Sequence, residues 1–211
     1  MNITQDNILI KRSSKEFIDN LLNKNPNWKV LDIGCGYTAH KNATVICDVQ
    51  DLSNFYKNKN FIKLDGKILP FEDDEFDFVI ASHVLEHVED VTTFIKELSR
   101  VSSKGYIELP TVLEDNLVFE NKKDHIWHME FDDINYELII SKKIQYLEPV
   151  LTVSSIKKLS KIFRQSLVLE LYWENQIKYK KFEENNNIIK ISRFSLFKKF
   201  ISKKLRVLFK N

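Results

Sequence analysis

Residues 28–36 read Trp-Lys-Val-Leu-Asp-Ile-Gly-Cys-Gly, an apolar stretch that ends in a carboxylate and two closely spaced glycines. A buried β-strand that runs directly into a tight turn has this pattern. Because glycine lacks a Cβ, such a turn can bend sharply and let the backbone approach a ligand. The stretch therefore predicts a strand whose carboxyl end opens into a binding loop.

Around this loop, the chain alternates between apolar runs and helical patterns. The predicted strands are 28–33, 43–47, 60–64, 76–81 and 105–109, and the predicted helices are 14–23 and 91–101. Strands and helices joined by short connections predict a parallel sheet covered on both faces. Two later runs, 167–173 and 177–182, flank Glu-Asn-Gln and predict an antiparallel hairpin. The predicted fold class is therefore α/β, with a mostly parallel sheet finished by a hairpin.

Composition narrows the class of protein. The chain has 211 residues, 43% hydrophobic and 29% charged, which suits a folded domain. A net charge of +2 excludes a polyanion binder on bulk charge alone. Two cysteines, Cys35 and Cys47, cannot build a disulfide framework. Without an apolar signal core or a run of about 20 apolar residues, we expect a cytoplasmic protein.

Polar residues stand at several predicted strand ends. They are the loop 32–36, Asp48, Asp65-Gly66 and Ser82-His83. In open α/β sheets, ligands bind beyond the carboxyl ends of the strands. A carboxylate after the second strand can accept hydrogen bonds from both hydroxyls of a ribose. A carboxylate after the third strand can accept a hydrogen bond from an adenine amino group. The pattern therefore predicts a nucleoside-containing ligand.

Two separated motifs in the right order carry a family resemblance. The first is 30–36, and the second is 69–88, Leu-Pro-Phe-Glu-Asp-Asp-Glu-Phe-Asp-Phe-Val-Ile-Ala-Ser-His-Val-Leu-Glu-His-Val. Together they resemble the class I S-adenosylmethionine-dependent methyltransferases of small molecules, over about residues 28–110. The resemblance implies a Rossmann-like sheet, S-adenosylmethionine as cofactor and methyl transfer to a small molecule. It also implies the cofactor-binding residues Asp32, Gly34, Cys35, Gly36, Asp48, Asp65, Gly66 and Ser82.

The sequence departs from the usual family pattern in its first loop. Thr38 stands where many members have a third glycine, and only twelve positions separate Gly36 from Asp48. That spacing leaves little room for a helix between the first two strands. The abbreviated form resembles a subgroup associated with sugar and cell-surface polysaccharide pathways, which implies a glycan-type acceptor.

A hydroxyl acceptor would benefit from a general base. The candidate catalytic groups are His83, Glu108 and His125. The candidate substrate contacts are His87, Trp127 and His128. Packing or capping roles remain open for each of these side chains. His125 and His128 could also form a metal pair, but a metal site needs three or four ligands and no third is evident, so no metal is predicted.

Two rival functions remain open. Gly34, Gly36 and Ala39 fit the nucleotide fingerprint G-x-G-x-x-A of nicotinamide-dependent oxidoreductases. That fingerprint needs a helix directly after the loop and an acid about 20 residues further on, and Asp48 comes too early. The other rival is a methyltransferase fold kept as a non-catalytic binding or scaffold protein, which Thr38 and the short loop favour slightly.

The C-terminal segment is strongly basic. Residues 193–211 contain seven Lys or Arg and no acid. An apolar face at helical spacing is formed by Phe197, Phe200, Ile201, Leu205 and Leu208. Basic amphipathic helices lie on anionic membrane surfaces, although docking on the protein itself or on a partner stays open. We expect a domain at 1–187, an extension at 188–211, and no nucleic-acid partner.

Overall fold

The computed structural model describes residues 10–182 and 191–208. Its strands are β1 (Ile10–Arg12), β2 (Val30–Ile33), β3 (Val45–Asp48), β4 (Phe61–Lys63), β5 (Phe78–Ser82), β6 (Lys104–Pro110), β7 (Trp127–Asp132), β8 (Glu137–Lys142), β9 (Val168–Glu174) and β10 (Tyr179–Lys181). Its α-helices are α1 (Lys15–Lys24), α2 (Val91–Val101), α3 (Val112–Leu117), α4 (Asn121–Asp124), α5 (Val153–Leu167) and α6 (Arg193–Leu208). A 3-10 turn covers Leu85–His87.

Seven strands form the central sheet, in the order β1-β9-β6-β5-β2-β3-β4. The five strands from β6 to β4 are parallel, and β9 runs antiparallel between β6 and β1. The predicted α/β fold with a mostly parallel sheet is confirmed.

The predicted hairpin between 167–173 and 177–182 is wrong in its pairing. β9 is buried at its first six residues and pairs with β6 and β1 on its two edges. At the intervening turn, Asn175 has a φ of +59° and donates its backbone N–H to the Ser103 carbonyl at 2.7 Å. This turn directs the chain away, and β10 joins β8 and β7 in a separate three-stranded sheet.

Both faces of the central sheet are covered, as predicted. On one face, Ile18 and Leu22 of α1 pack against Val30 and Phe78. The helix begins where the Ser14 side chain accepts a hydrogen bond from the backbone N–H of Phe17, a typical N-cap. The other face is covered by apolar side chains of α2 and of the second sheet, among them Phe94, Ile95, Leu98, Met129, Phe131 and Ile140.

No helix lies between β2 and β3 in this fully described part of the chain. Turns occupy residues 34–44 instead, as the short spacing predicts. Tyr56 holds the loop, because its hydroxyl donates to the Gly36 carbonyl at 2.8 Å and accepts from the Ala39 N–H at 3.1 Å. A small core of Cys35, Ile46 and Leu52 packs beside Tyr56, so the loop is fixed without a helix.

The basic C-terminal segment is helical, as predicted, over Arg193–Leu208. Its first residue is tied to the domain, because Arg193 Nε lies 2.9 Å from Glu148 Oε2. The proposed boundary at residue 187 falls outside the described residues. Among the described helices, none is both long and apolar enough to cross a membrane.

Candidate active site

A cavity of about 810 Å³ opens at the carboxyl ends of β2, β5 and β6. Because parallel strands end at the same edge of the sheet, side chains from three separate stretches meet there. Helices α1, α3 and α5 contribute the other walls. Nine of the predicted site residues line it: Asp32, Gly34, Cys35, Gly36, Ser82, His83, His87, Glu108 and His125.

The two glycines of the loop after β2 serve different purposes. Both have a positive φ, +67° at Gly34 and +48° at Gly36. A Cβ added to Gly34 would lie 2.4 Å from Val84 Cγ2, whereas one added to Gly36 would meet no atom within 4 Å. Packing therefore excludes a side chain at Gly34, while Gly36 keeps its side free for a ligand.

Asp32 places a buried carboxylate beside this loop. The residue is 4% exposed, and its Oδ2 accepts a hydrogen bond from the His40 N–H at 2.7 Å. Burial raises the pKa of Asp32 to about 6, an effect that the hydrogen bond from His40, and then the charges of Lys59 and Lys15, partly offset. A buried carboxylate is costly without a positive partner, so Asp32 is suited to a cationic ligand.

His83 lies between two carboxylates after β5. Its Nδ1 is 3.3 Å from Glu86 Oε1, and its Nε2 is 3.4 Å from Glu108 Oε1. Burial alone would lower the pKa of His83, but the two carboxylates outweigh burial and raise this pKa to about 10. Burial would likewise raise the pKa of Glu108, yet His83 and Arg164 lower it to about 2. Tyr106 and Arg164 also hold Glu108, at 2.9 and 2.8 Å.

Known proteins match the part of the chain that forms this cavity. A family model described as a methyltransferase domain matches residues 31–107, from β2 to β6. An uncharacterized protein of Methanocaldococcus jannaschii is 31% identical over 199 residues, covering 75% of this chain and 86% of that protein. The ubiquinone biosynthesis O-methyltransferase of Pelagibacter ubique is 31% identical over 106 residues, covering 43% of this chain and 44% of that enzyme. The chain belongs to the class I S-adenosylmethionine-dependent methyltransferases.

A solved S-adenosylmethionine-dependent methyltransferase from Aquifex aeolicus is also similar to this methyltransferase. It is 16% identical, with a TM-score of 0.38, and the match covers 73% of this chain and 87% of that one. The methyltransferase domain supports an enzyme that uses S-adenosylmethionine and gives no support to either rival function, the oxidoreductase or the non-catalytic scaffold.

The cavity of the methyltransferase fits its cofactor. S-adenosylmethionine carries a positive sulfonium and a positive amino group, and Asp32 offers a buried carboxylate to a cation. The open side of Gly36 gives a bulky ligand access to the backbone.

Three predicted cofactor residues lie outside the cavity lining. The two carboxylate oxygens of Asp48 accept hydrogen bonds from the backbone N–H groups of Gly36 and Gln50, each at 2.9 Å. Asp48 therefore positions the glycine loop. Asp65 stands on an exposed turn beside Gly66, paired with Lys63 at 2.8 Å. Whether these residues contact cofactor stays a prediction.

Trp127 and His128 of β7 also do not line the cavity. Trp127 is 8% exposed and donates its Nε1–H to the Val88 carbonyl at 2.8 Å. His128 is 4% exposed, with its Nε2 2.9 Å from Asp115 Oδ2. Both side chains predicted to contact substrate thus have structural partners.

Glu114 is a cavity residue that sequence reasoning missed. It is 8% exposed, lines the cavity, and its Oε2 makes no hydrogen bond within the described part of the chain. Burial raises the pKa of Glu114 to about 7. Its spacing from Thr111, whose hydroxyl accepts from the Glu114 N–H, is that of a capping box. The capping pattern indicates only where a helix starts. The one signal that could have identified Glu114 is its position in the sequence, just beyond the end of β6.

Proposed function

We propose that this methyltransferase methylates a hydroxyl group of a small, glycan-type acceptor. The observation that carries the proposal is the polar wall beyond β5 and β6, where Ser82, His83, Glu108 and Glu114 line the cavity. This wall presents hydrogen-bonding groups to the cavity, among them the unpartnered Oε2 of buried Glu114, and a buried polar atom without a partner is costly, so the wall favours an acceptor rich in hydroxyls. The name of the Pelagibacter ubique relative, an O-methyltransferase, also supports an oxygen acceptor.

The cofactor side of the cavity is the Asp32 carboxylate and the loop from Gly34 to Gly36. When bound, S-adenosylmethionine supplies a methyl group on a sulfonium sulfur, which keeps the electron pair of the broken C–S bond. Asp32 would hold the positive charge of the cofactor, and Gly36 would let the cofactor approach the backbone.

On the acceptor side, Glu114 takes the proton from the reacting hydroxyl. Its Oε2 is unpartnered within the described chain, so one oxygen is available to that proton. His83 contacts Glu86 and Glu108 on either side, which fixes the imidazole at the cavity wall.

Transfer of labelled methyl from S-adenosylmethionine to simple sugars, amines and thiols tests this proposal. We expect label in sugars, and we expect Glu114→Gln to reduce the rate by about 10²–10⁴-fold, the usual contribution of a general base. Glu120→Gln is the matched control, since Glu120 also lines the cavity but accepts from the Val153 N–H at 3.2 Å. Label in amines or thiols alone would contradict the proposed acceptor.

We also propose that α6 lies on an anionic membrane surface and brings the cavity to a lipid-linked acceptor. Six bases and no acid occupy Arg193–Leu208. Large apolar side chains are exposed along the helix, with Phe194 at 74% and Phe197 at 60%. An apolar face flanked by bases is typical of helices that bind anionic lipid.

A further inference from the structure

Three potential metal ligands converge at the acceptor side of the cavity. Glu86, His87 and His125 each offer a ligand atom, and these atoms all lie within 4.8 Å of one another. Glu86 is 1% exposed, and neither carboxylate oxygen makes a hydrogen bond within the described chain. His83 is a positive neighbour on one side, with its Nδ1 3.3 Å from Oε1. No donor within the described chain reaches Oε2, so this buried oxygen is available to a metal ion.

His87 is oriented in the way that metal-binding histidines are, and His125 lies beside a buried carboxylate. His87 Nδ1 lies 2.9 Å from the Asp124 carbonyl oxygen, and His125 Nδ1 lies 2.7 Å from Asp115 Oδ1. A carbonyl oxygen only accepts hydrogen bonds, so His87 Nδ1 carries the proton, whereas His125 Nδ1 makes no hydrogen bond within the described chain. His87 Nε2 is left with its lone pair, and an acceptor behind the other nitrogen is the usual support of a metal-binding histidine.

The backbone already holds the two ligand segments together. The Ile126 N–H donates to the Glu86 carbonyl at 2.7 Å, and Trp127 Nε1 donates to the Val88 carbonyl at 2.8 Å. The Glu86-His87 pair is thus fixed against His125 from a distant part of the sequence. Such preorganisation lowers the conformational cost of closing three ligands on an ion.

We propose that Glu86, His87 and His125 bind a divalent transition-metal ion of the zinc type. Two imidazoles and one carboxylate are the ligand set of open catalytic sites, which keep a position free for an oxygen ligand. His87 and His125 line the cavity, so the free position faces the acceptor. The inference deepens the proposed function, because a metal-bound hydroxyl loses its proton more readily.

This site is not the pair of His125 and His128 that their spacing in the sequence suggests. His128 Nε2 contacts Asp115 Oδ2 at 2.9 Å and is 4% exposed, so His128 is turned away from the cavity. The partners of His125 come instead from positions 86 and 87, which no local spacing connects to it.

Calorimetric titration of the full chain with Zn²⁺ alone, after removal of metal by chelator, tests the site. We expect one ion per chain, and at least tenfold weaker binding in Glu86→Gln and in His87→Ala. His87 is exposed, so His87→Ala should keep the wild-type melting temperature. The matched controls are Glu89→Gln, an exposed neighbouring acid, and His40→Ala, a cavity histidine beside Asp19; both should bind Zn²⁺ like the wild type.

Titration of the same samples with S-adenosylhomocysteine separates this inference from the proposed function. Substoichiometric Zn²⁺ binding, or wild-type affinity in both ligand variants, would overturn the metal site even if S-adenosylhomocysteine still binds. Failure to bind S-adenosylhomocysteine, with Zn²⁺ binding as expected, would instead overturn the proposed function and leave the metal site standing.

Discussion

Replacing Gly34 by Ala tests how the glycine loop packs against the segment after β5. The added Cβ would lie 2.4 Å from Val84 Cγ2, whereas carbon atoms in contact stay about 3.5–4.0 Å apart. Overpacking of this kind costs about 1–3 kcal/mol, and the left-handed backbone adds about 1–2 kcal/mol for a residue with a Cβ. We therefore expect Gly34→Ala to lower the free energy of unfolding by about 2–5 kcal/mol.

Gly36→Ala is the matched control, because Gly36 also has a positive φ but no atom within 4 Å of an added Cβ. It should lose only the conformational part, about 1–2 kcal/mol. Val84→Ala removes the clashing methyl groups, so a double-mutant cycle with Gly34→Ala should give a coupling energy of about 1–3 kcal/mol. Urea unfolding measures these differences, and each kcal/mol should appear as about 2–4 °C in Tm for a chain of this size.

Equal losses of stability in Gly34→Ala and Gly36→Ala would refute the clash. So would a cycle in which Val84→Ala has the same effect with and without Gly34→Ala. Either result would mean that the loop can shift away from Val84 at little cost, and that Gly34 is present for another reason.

Three further outcomes are expected. Affinity for S-adenosylmethionine should fall as pH drops through about 6, because the pKa of Asp32 is raised to about 6 and a cation binds its ionised form. Asp32→Asn should bind weakly at every pH, and a variant with the same pH profile as the wild type would contradict this role of Asp32. Methyl transfer should rise as pH increases through about 7, where Glu114 ionises, and a pH-independent rate in the wild type would argue against Glu114 as the base. Lys198→Gln/Lys199→Gln should weaken co-sedimentation with phosphatidylglycerol vesicles by roughly 30-fold, at about 1 kcal/mol per charge; Lys122→Gln/Lys123→Gln should not, and equal losses in the two pairs would count against α6.

The central strands could be predicted from the sequence because buried parallel strands are continuous apolar runs. Val30–Ile33 and Val45–Asp48 are buried at every position. β1 could not be predicted, because it is three residues long and two of them are basic. The pattern also does not predict the sheet of β7, β8 and β10, because it pairs residues 177–182, which mix apolar and basic side chains, with the run that precedes them. Strand pairing of this kind depends on contacts distant in the chain, which periodicity does not reveal.

In the candidate site too, the residues at strand ends could be predicted from the sequence, and those brought in by contacts distant in the chain could not. Asp32, Ser82 and Glu108 could be predicted, because strand ends meet at one edge of a parallel sheet. Glu114 belongs to a helix start, and the closeness of Glu86 to His125 depends on how β7 packs against the 3-10 turn. The conformation of His83, with a φ of +55°, likewise follows from tertiary contacts.

We expect the cavity beside Gly36 to hold S-adenosylmethionine. The decisive measurement is calorimetric titration of the full chain with S-adenosylhomocysteine, in parallel with Gly36→Ala, because the added Cβ meets no atom of the protein within 4 Å but would occupy the space beside the loop. We expect one binding site in the wild type and at least tenfold weaker binding in Gly36→Ala, whose Tm should fall only by about 2–8 °C, which leaves the protein folded at the titration temperature. Absence of binding to the wild type, or equal affinity in the two proteins, would contradict this expectation.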